Sequence, residues 1–168
     1  MSLSSAMPST VEPAVPSALA QAHFRHVLRV YWEDTDAGGI VFYGNYLKFM
    51  ERARTEWLSS LGFEQEGMRQ SGEGMFIVAE TQLRYIRPAR LDDRLTVTVN
   101  VAEVGRASVV FEQAVWRDEV LLTQGRVRIG WVQAKAGQDE LRPGRIPDRI
   151  LAVLPQPNPI SQPGGCAS

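Results

Sequence analysis

The chain has 168 residues, a length that sets an expectation of one domain. Eighteen Lys and Arg stand against 19 Asp and Glu, a formal net charge of −1, which excludes the basic surplus of a phosphate-driven nucleic-acid binder. Hydrophobic residues make up 44%, enough for an ordinary globular core.

The distribution says more than the totals. The four Trp, four Tyr and six Phe all fall between Phe24 and Trp131, and Glu12 is the one charged residue outside His23–Leu154. Residues 1–22 and 155–168 are rich in Ser, Ala and Pro and poor in core-forming side chains, so both are expected to be disordered tails. Residues 23–154 form the expected domain, large enough to bury a core without staples. The single cysteine, Cys166, excludes an internal disulfide and a cysteine metal cluster and fits a reducing compartment. The first 22 residues carry neither a basic start nor an apolar run of signal-peptide length. No stretch approaches the roughly 18 apolar residues of a membrane span. The expectation is a soluble, cytoplasmic protein.

In chain order, Phe24–Glu33 alternates as a strand, with Val27 and Tyr31 on one face and Leu28, Val30 and Trp32 on the other. Residues 34–42 hold two aspartates and two glycines and read as a loop. A helix follows over about Tyr43–Leu61. At 100° per residue, Tyr46, Phe49, Met50, Ala53, Trp57 and Leu61 share one broad arc, and Leu47 and Leu58 widen it. Gly62 stands where a helix-ending glycine belongs. Four alternating segments come next, at about 75–86, 94–103, 107–117 and 119–133. Their short links favour an antiparallel meander. Residues 147–153 suggest a last short helix with Pro147 at its start. The fold class is α+β, one sheet face covering one long apolar helix.

The chemistry concentrates before that helix. Glu33, Asp34 and Asp36 precede a helix N-terminus, whose free N–H groups and partial positive charge suit a carbonyl oxygen or oxyanion. A carboxylate beside it can serve as nucleophile or general base. Gly38 and Gly39 let the backbone approach a ligand. Helix capping competes for each aspartate. Asp34 suits that structural role better; Asp36, nearer the glycines, suits chemistry.

The run Glu33-Asp-Thr-Asp-Ala-Gly-Gly-Ile-Val-Phe-Tyr-Gly-Asn-Tyr-Leu47, followed by Phe49-Met-Glu-Arg-Ala-Arg-Thr-Glu-Trp-Leu58, resembles the hotdog-fold acyl-CoA thioesterases of the 4-hydroxybenzoyl-CoA thioesterase type, in particular the subgroup associated with the Tol–Pal system. Ile86-Arg-Pro-Ala-Arg-Leu-Asp-Asp93 and Gly105-Arg-Ala-Ser108 resemble that subgroup too. The resemblance spans about residues 24–154. It implies a five-stranded antiparallel sheet wrapped around one long central helix. It implies a homodimer or homotetramer with sites at subunit interfaces. It places the catalytic carboxylate at Asp36 and the carbonyl-polarising N–H at Tyr43. Gly39, Val41, Gly44, Asn45, Arg106 and Ser108 become substrate-binding candidates. The substrates implied are thioesters of coenzyme A, sometimes of acyl carrier protein, with no metal and no cofactor beyond the CoA of the substrate. Gly44 departs from the subgroup, which commonly has His there, and Phe42 replaces a common Val or Tyr.

Other residues have plainer competing roles. Arg54 is expected to pair with Glu51 or Asp34. Arg106 after a turn glycine suits a CoA phosphate or a solvated hairpin tip. His23 and His26 lack further ligands and make a metal site improbable on spacing. Two rivals to a thioesterase stay open: a hotdog hydratase or dehydratase, which needs a catalytic His, and a non-catalytic acyl-CoA or acyl-carrier-protein binding scaffold.

Overall fold

Alternation and helical periodicity place the elements almost where the sequence expects them, and the computed structural model describes residues 15–134 and 140–158. A one-turn helix α1 (Ser17–Ala20) leads into β1 (Phe24–Arg29) and a 3-10 turn (Trp32–Asp34). Then come α2 (Asn45–Ser60), α3 (Gln65–Gln70), β2 (Met75–Tyr85), β3 (Arg94–Val104), β4 (Ser108–Arg117) and β5 (Val120–Ala134). A three-residue β6 (Leu141–Pro143) and α4 (Asp148–Leu151) close the described chain.

The strand order is β1-β3-β4-β5-β2, all pairs antiparallel, with β6 added to β5. The β3–β4–β5 meander is as expected. Strand β2 is not: it pairs with β5 rather than with its chain neighbour β3. The 86–93 link must therefore pass the ends of two strands, about 14 Å. It is held on the way by N–H groups of Ile86 and Arg87 on the Leu122 carbonyl and by the Val41 N–H on Ala89. Bulges near Val78, Val101 and Val115 curl the sheet.

Helix α2 lies in the hollow of that curl. Tyr46, Phe49, Met50, Ala53, Trp57 and Leu58 are buried against Leu95, Val97, Val99, Phe111 and Val115. Each large apolar side chain so covered contributes about 1.5–3 kcal/mol. Leu47, expected in the buried arc, is 42% exposed, because the sheet covers one side of α2 and leaves Leu47 beyond its rim. Gly62 takes φ +88°, the left-handed turn that ends the helix.

The first strand stops at Arg29, short of Glu33. The Asp34 carboxylate accepts the Tyr31 N–H at 2.9 Å and draws the chain into the 3-10 turn. The body also begins earlier than residue 23. Leu19 of α1 is buried on Ala114 and Trp116, on the sheet face away from α2. At the other end the Asn158 N–H donates to the Val101 carbonyl at 2.8 Å. The expected tails at 1–14 and 159–168 lie outside the described residues. Among the described residues, no helix is long and apolar enough to cross a membrane.

Candidate active site

The loop between β1 and α2 is built by backbone pairing. Thr35 bridges Val41 across the loop, and Ile40 bridges Arg90 of the 86–93 link. Asp36–Gly39 form the tip of this small two-armed turn. The Asp36 N–H donates to the Ile40 carbonyl at 2.9 Å, and the Gly39 N–H donates to the Asp36 carbonyl at 3.0 Å. Gly39 sits at φ +70°, where a Cβ is strained.

The two aspartates separate cleanly. Asp34 is buried, its carboxylate on the Tyr31 N–H, and its carbonyl accepts both the Phe42 N–H and the Asn45 side-chain amide, each at 2.9 Å. It is a structural clamp. Asp36 is exposed. Its Oδ1 accepts the Gly38 N–H at 2.8 Å, which fixes the carboxylate plane, while Oδ2 meets no donor among the described residues. An oriented carboxylate with one free oxygen can take a proton from water or attack a carbonyl.

The second component is the start of α2. The Asn45 N–H turns back to the Phe42 carbonyl at 2.9 Å and the Leu47 N–H to Gly44 at 3.2 Å. The N–H groups of Tyr43 and Gly44 meet no acceptor among the described residues. They are the orphan donors of a helix N-terminus, open to an incoming oxygen. Tyr43 itself is 66% exposed, its ring tilted 44° against Phe42 with centroids 4.4 Å apart. A Cβ on Gly44 would stand 3.0 Å from the Phe42 ring, so this glycine leaves room for that ring.

Not every sequence candidate joins them. Val41 is buried in the core and Asn45 is buried with its amide committed to Asp34, so both side chains shape the loop. Arg106 and Ser108 stand at the β3–β4 hairpin, with the Gly105 N–H on the Ser108 carbonyl. The Asp36 loop is tied to the other end of β3, through Val30 on Asp93. Eleven residues of β3, about 36 Å, separate the two ends. Within one protomer the hairpin does not reach Asp36.

Arg54 also departs from expectation. It donates to Gln113 Oε1 at 2.6 Å, and among the described residues no carboxylate lies within ion-pair distance of it. Gln113 is locked by its own bond to the Met50 carbonyl. Burial pushes the Arg54 guanidinium down from its ordinary value. His23 uses Nδ1 to accept the Val101 N–H, a structural bond. Among the described residues no group of three or more His, Cys, Asp or Glu is placed to hold a metal ion. One contact escaped the sequence reading: the Tyr85 hydroxyl donates to the Tyr43 carbonyl at 3.0 Å. Its signal in the sequence was only an aromatic closing a strand before Ile-Arg-Pro.

A curled antiparallel sheet around one long helix, with a carboxylate-bearing loop leading into that helix, is the hotdog fold. The Thioesterase superfamily model matches residues 38–124. The chain belongs to that superfamily. It is 37% identical over 131 residues to the Acyl-CoA thioesterase YbgC of Haemophilus influenzae, covering 78% of this chain and 93% of that one. Among solved structures, a probable thioesterase from Bartonella henselae superposes with a TM-score of 0.68 at 30% identity, covering 73% of this chain and 98% of that one. A hypothetical protein from Aquifex aeolicus gives 0.72 at 29%, covering 79% and 99%.

Proposed function

We propose that this chain hydrolyses acyl-CoA thioesters, with the Asp36 carboxylate as nucleophile or general base and the Tyr43 N–H polarising the thioester carbonyl. The observation that carries the reading is a carboxylate oxygen without a donor among the described residues, on the loop that leads into a helix start with two amides without an acceptor. As general base, Asp36 takes a proton from water while the water oxygen bonds the acyl carbon. The carbonyl oxygen gains charge and is met by the amides. The C–S bond then breaks, and the thiolate leaves with a proton as free CoA. As nucleophile, Asp36 forms an acyl anhydride that water opens to the same products. The acyl-CoA substrate is supported by the Haemophilus relative.

We propose further that the working unit is a homodimer joined along β2. This strand runs 11 residues at a sheet edge, with Ile77 and Val78 exposed at 40% and 53%. A long apolar edge is a template for pairing. A two-fold pairing of β2 with its copy is antiparallel. It sets the Tyr85 end, beside the Asp36 loop, against the partner's Met75 end. Ser108 pairs with Gly130 and Met75 with Val132, so the 105–108 hairpin belongs to that Met75 end. The partner's Arg106 and Ser108 would thereby approach Asp36 and meet the CoA phosphates.

Asp36→Asn tests the chemistry. It keeps the Gly38 hydrogen bond and removes the base. Thiol release from the best acyl-CoA is expected to fall about 10²- to 10⁴-fold with oligomeric state unchanged. Wild-type turnover in this variant would falsify the assignment. Tight acyl-CoA binding with no thiol release by the native protein would instead identify a binding scaffold.

A further inference from the structure

We infer that Tyr85 is a positioning residue for catalysis: its hydroxyl holds the Tyr43–Gly44 peptide so that the two amides at the start of α2 face one oxygen. The inference rests on the proposed thioesterase reading and adds to it a residue, on another element, that sets the geometry of the polarising groups.

In a regular α-helix the Leu47 N–H would reach four residues back to the Tyr43 carbonyl. Here it reaches Gly44 instead, at 3.2 Å. The Tyr43 carbonyl is left outside the helical ladder, and the Tyr85 hydroxyl takes it at 3.0 Å. Within one planar peptide the Tyr43 C=O and the Gly44 N–H point in opposite directions. Holding the carbonyl toward β2 therefore aims the Gly44 N–H away from β2. The Asn45 N–H on the Phe42 carbonyl makes Tyr43 and Gly44 the two corners of a β-turn, and Gly44 at φ −68° and ψ −23° makes it type I, so the two corner N–H groups lie on the same side.

The hydroxyl is itself held. The Tyr85 ring meets Tyr46 edge-to-face at 5.6 Å between centroids. Tyr46 is buried, and its hydroxyl accepts the Ala89 N–H at 2.9 Å. The chain of contacts runs from the 86–93 link through Tyr46 to Tyr85 and on to the peptide at the helix start. Partial burial raises the Tyr85 phenol above its ordinary value, so it stays a donor at neutral pH. Tyr85 also ends β2, the strand proposed to meet the partner.

The test is Tyr85→Phe, which keeps the ring on Tyr46 and removes one hydrogen bond. Steady-state kinetics on one acyl-CoA should show kcat down about tenfold, with KM within about twofold of wild type. The melting temperature, the oligomeric state and the Kd for free CoA should stay at wild-type values. In Tyr85→Phe the backbone ¹⁵N–¹H resonances of Tyr43 and Gly44 should move, while those of the Asp36 turn stay put. Unchanged kcat overturns the inference. So does a rise in KM with kcat intact, or a fall in kcat matched by loss of fold or assembly. Asp36→Asn is run beside it. If Asp36→Asn is inactive and Tyr85→Phe is unimpaired, this inference fails alone. If Asp36→Asn stays active, the carboxylate assignment fails, and the kcat of Tyr85→Phe still decides the amides.

Discussion

The two edges of the sheet are built differently. At one edge, β1 is six residues long, and charged Arg25 and Arg29 alternate with Val27 on its exposed side. Arg29 pairs with Asp92 at 2.8 Å, in the link that closes that end. A short edge carrying charge resists adding another strand. At the other edge, β2 is 11 residues long and leaves Ile77 and Val78 open. The contrast makes β2 the edge open to another strand, which is where the proposed dimer joins. In the proposed dimer, candidates about 36 Å apart in one protomer would meet in one site.

The sharpest way to break the comparison is to charge the β2 edge. Ile77→Lys with Val78→Glu should convert the proposed dimer to monomer, seen by light scattering, and lower turnover about 100-fold or more if each site needs its partner's residues. Val27→Lys on β1 should change neither. Equal effects at both edges would remove the distinction between them. A smaller effect probes the composite site. Arg106→Ala should raise KM for acyl-CoA about tenfold, the loss of one charge-assisted phosphate contact. Co-refolded with Asp36→Asn chains, it should regain low-KM turnover, because one site of the mixed dimer then holds both native residues. No recovery on mixing would place each site within a single chain.

The smallest effect belongs to the β1 side and bears on stability alone. His23 is held neutral beside β3, and burial lowers its pKa below 6.5. The unfolded chain therefore binds the proton more readily. This stabilisation is complete above pH 6.5 and is lost as the pH falls from there through the lowered folded value. His23→Gln should flatten the dependence of melting temperature on pH across that window without altering turnover at pH 7.5. An unchanged slope would show that His23 does not titrate with folding.

The site was legible in the sequence to different depths. Asp36 could be proposed because a carboxylate, two glycines and a helix start lie within a few residues of one another, whereas Tyr43 came from the family resemblance. The assignment of Asp34 to structure and Asp36 to chemistry followed from position in the loop, and burial of Asp34 agrees with it. The burial of Val41 and Asn45 is not legible locally, because their side-chain directions depend on how the loop folds back on the 86–93 link. The Arg54 partner was misread for a similar reason. Gln113 is 59 residues away, and strand β4 delivers it. Tyr85 was missed entirely, since nothing near it in the chain hints at Tyr43.

The sequence by itself determined the α+β class, the strands and the helix to within a few residues and the buried face of α2, and it singled out the carboxylate proposed for the site. Periodicity and turn chemistry act over a few residues, and these features are local. The tertiary structure alone decided that β2 crosses to β5, that the N-terminal turn around Leu19 covers Trp116, that β2 forms an open edge, and that Tyr85 meets the start of α2. Those outcomes depend on which strand lies beside which. Curvature of the sheet around one helix sets that arrangement, and no window of neighbouring residues encodes it.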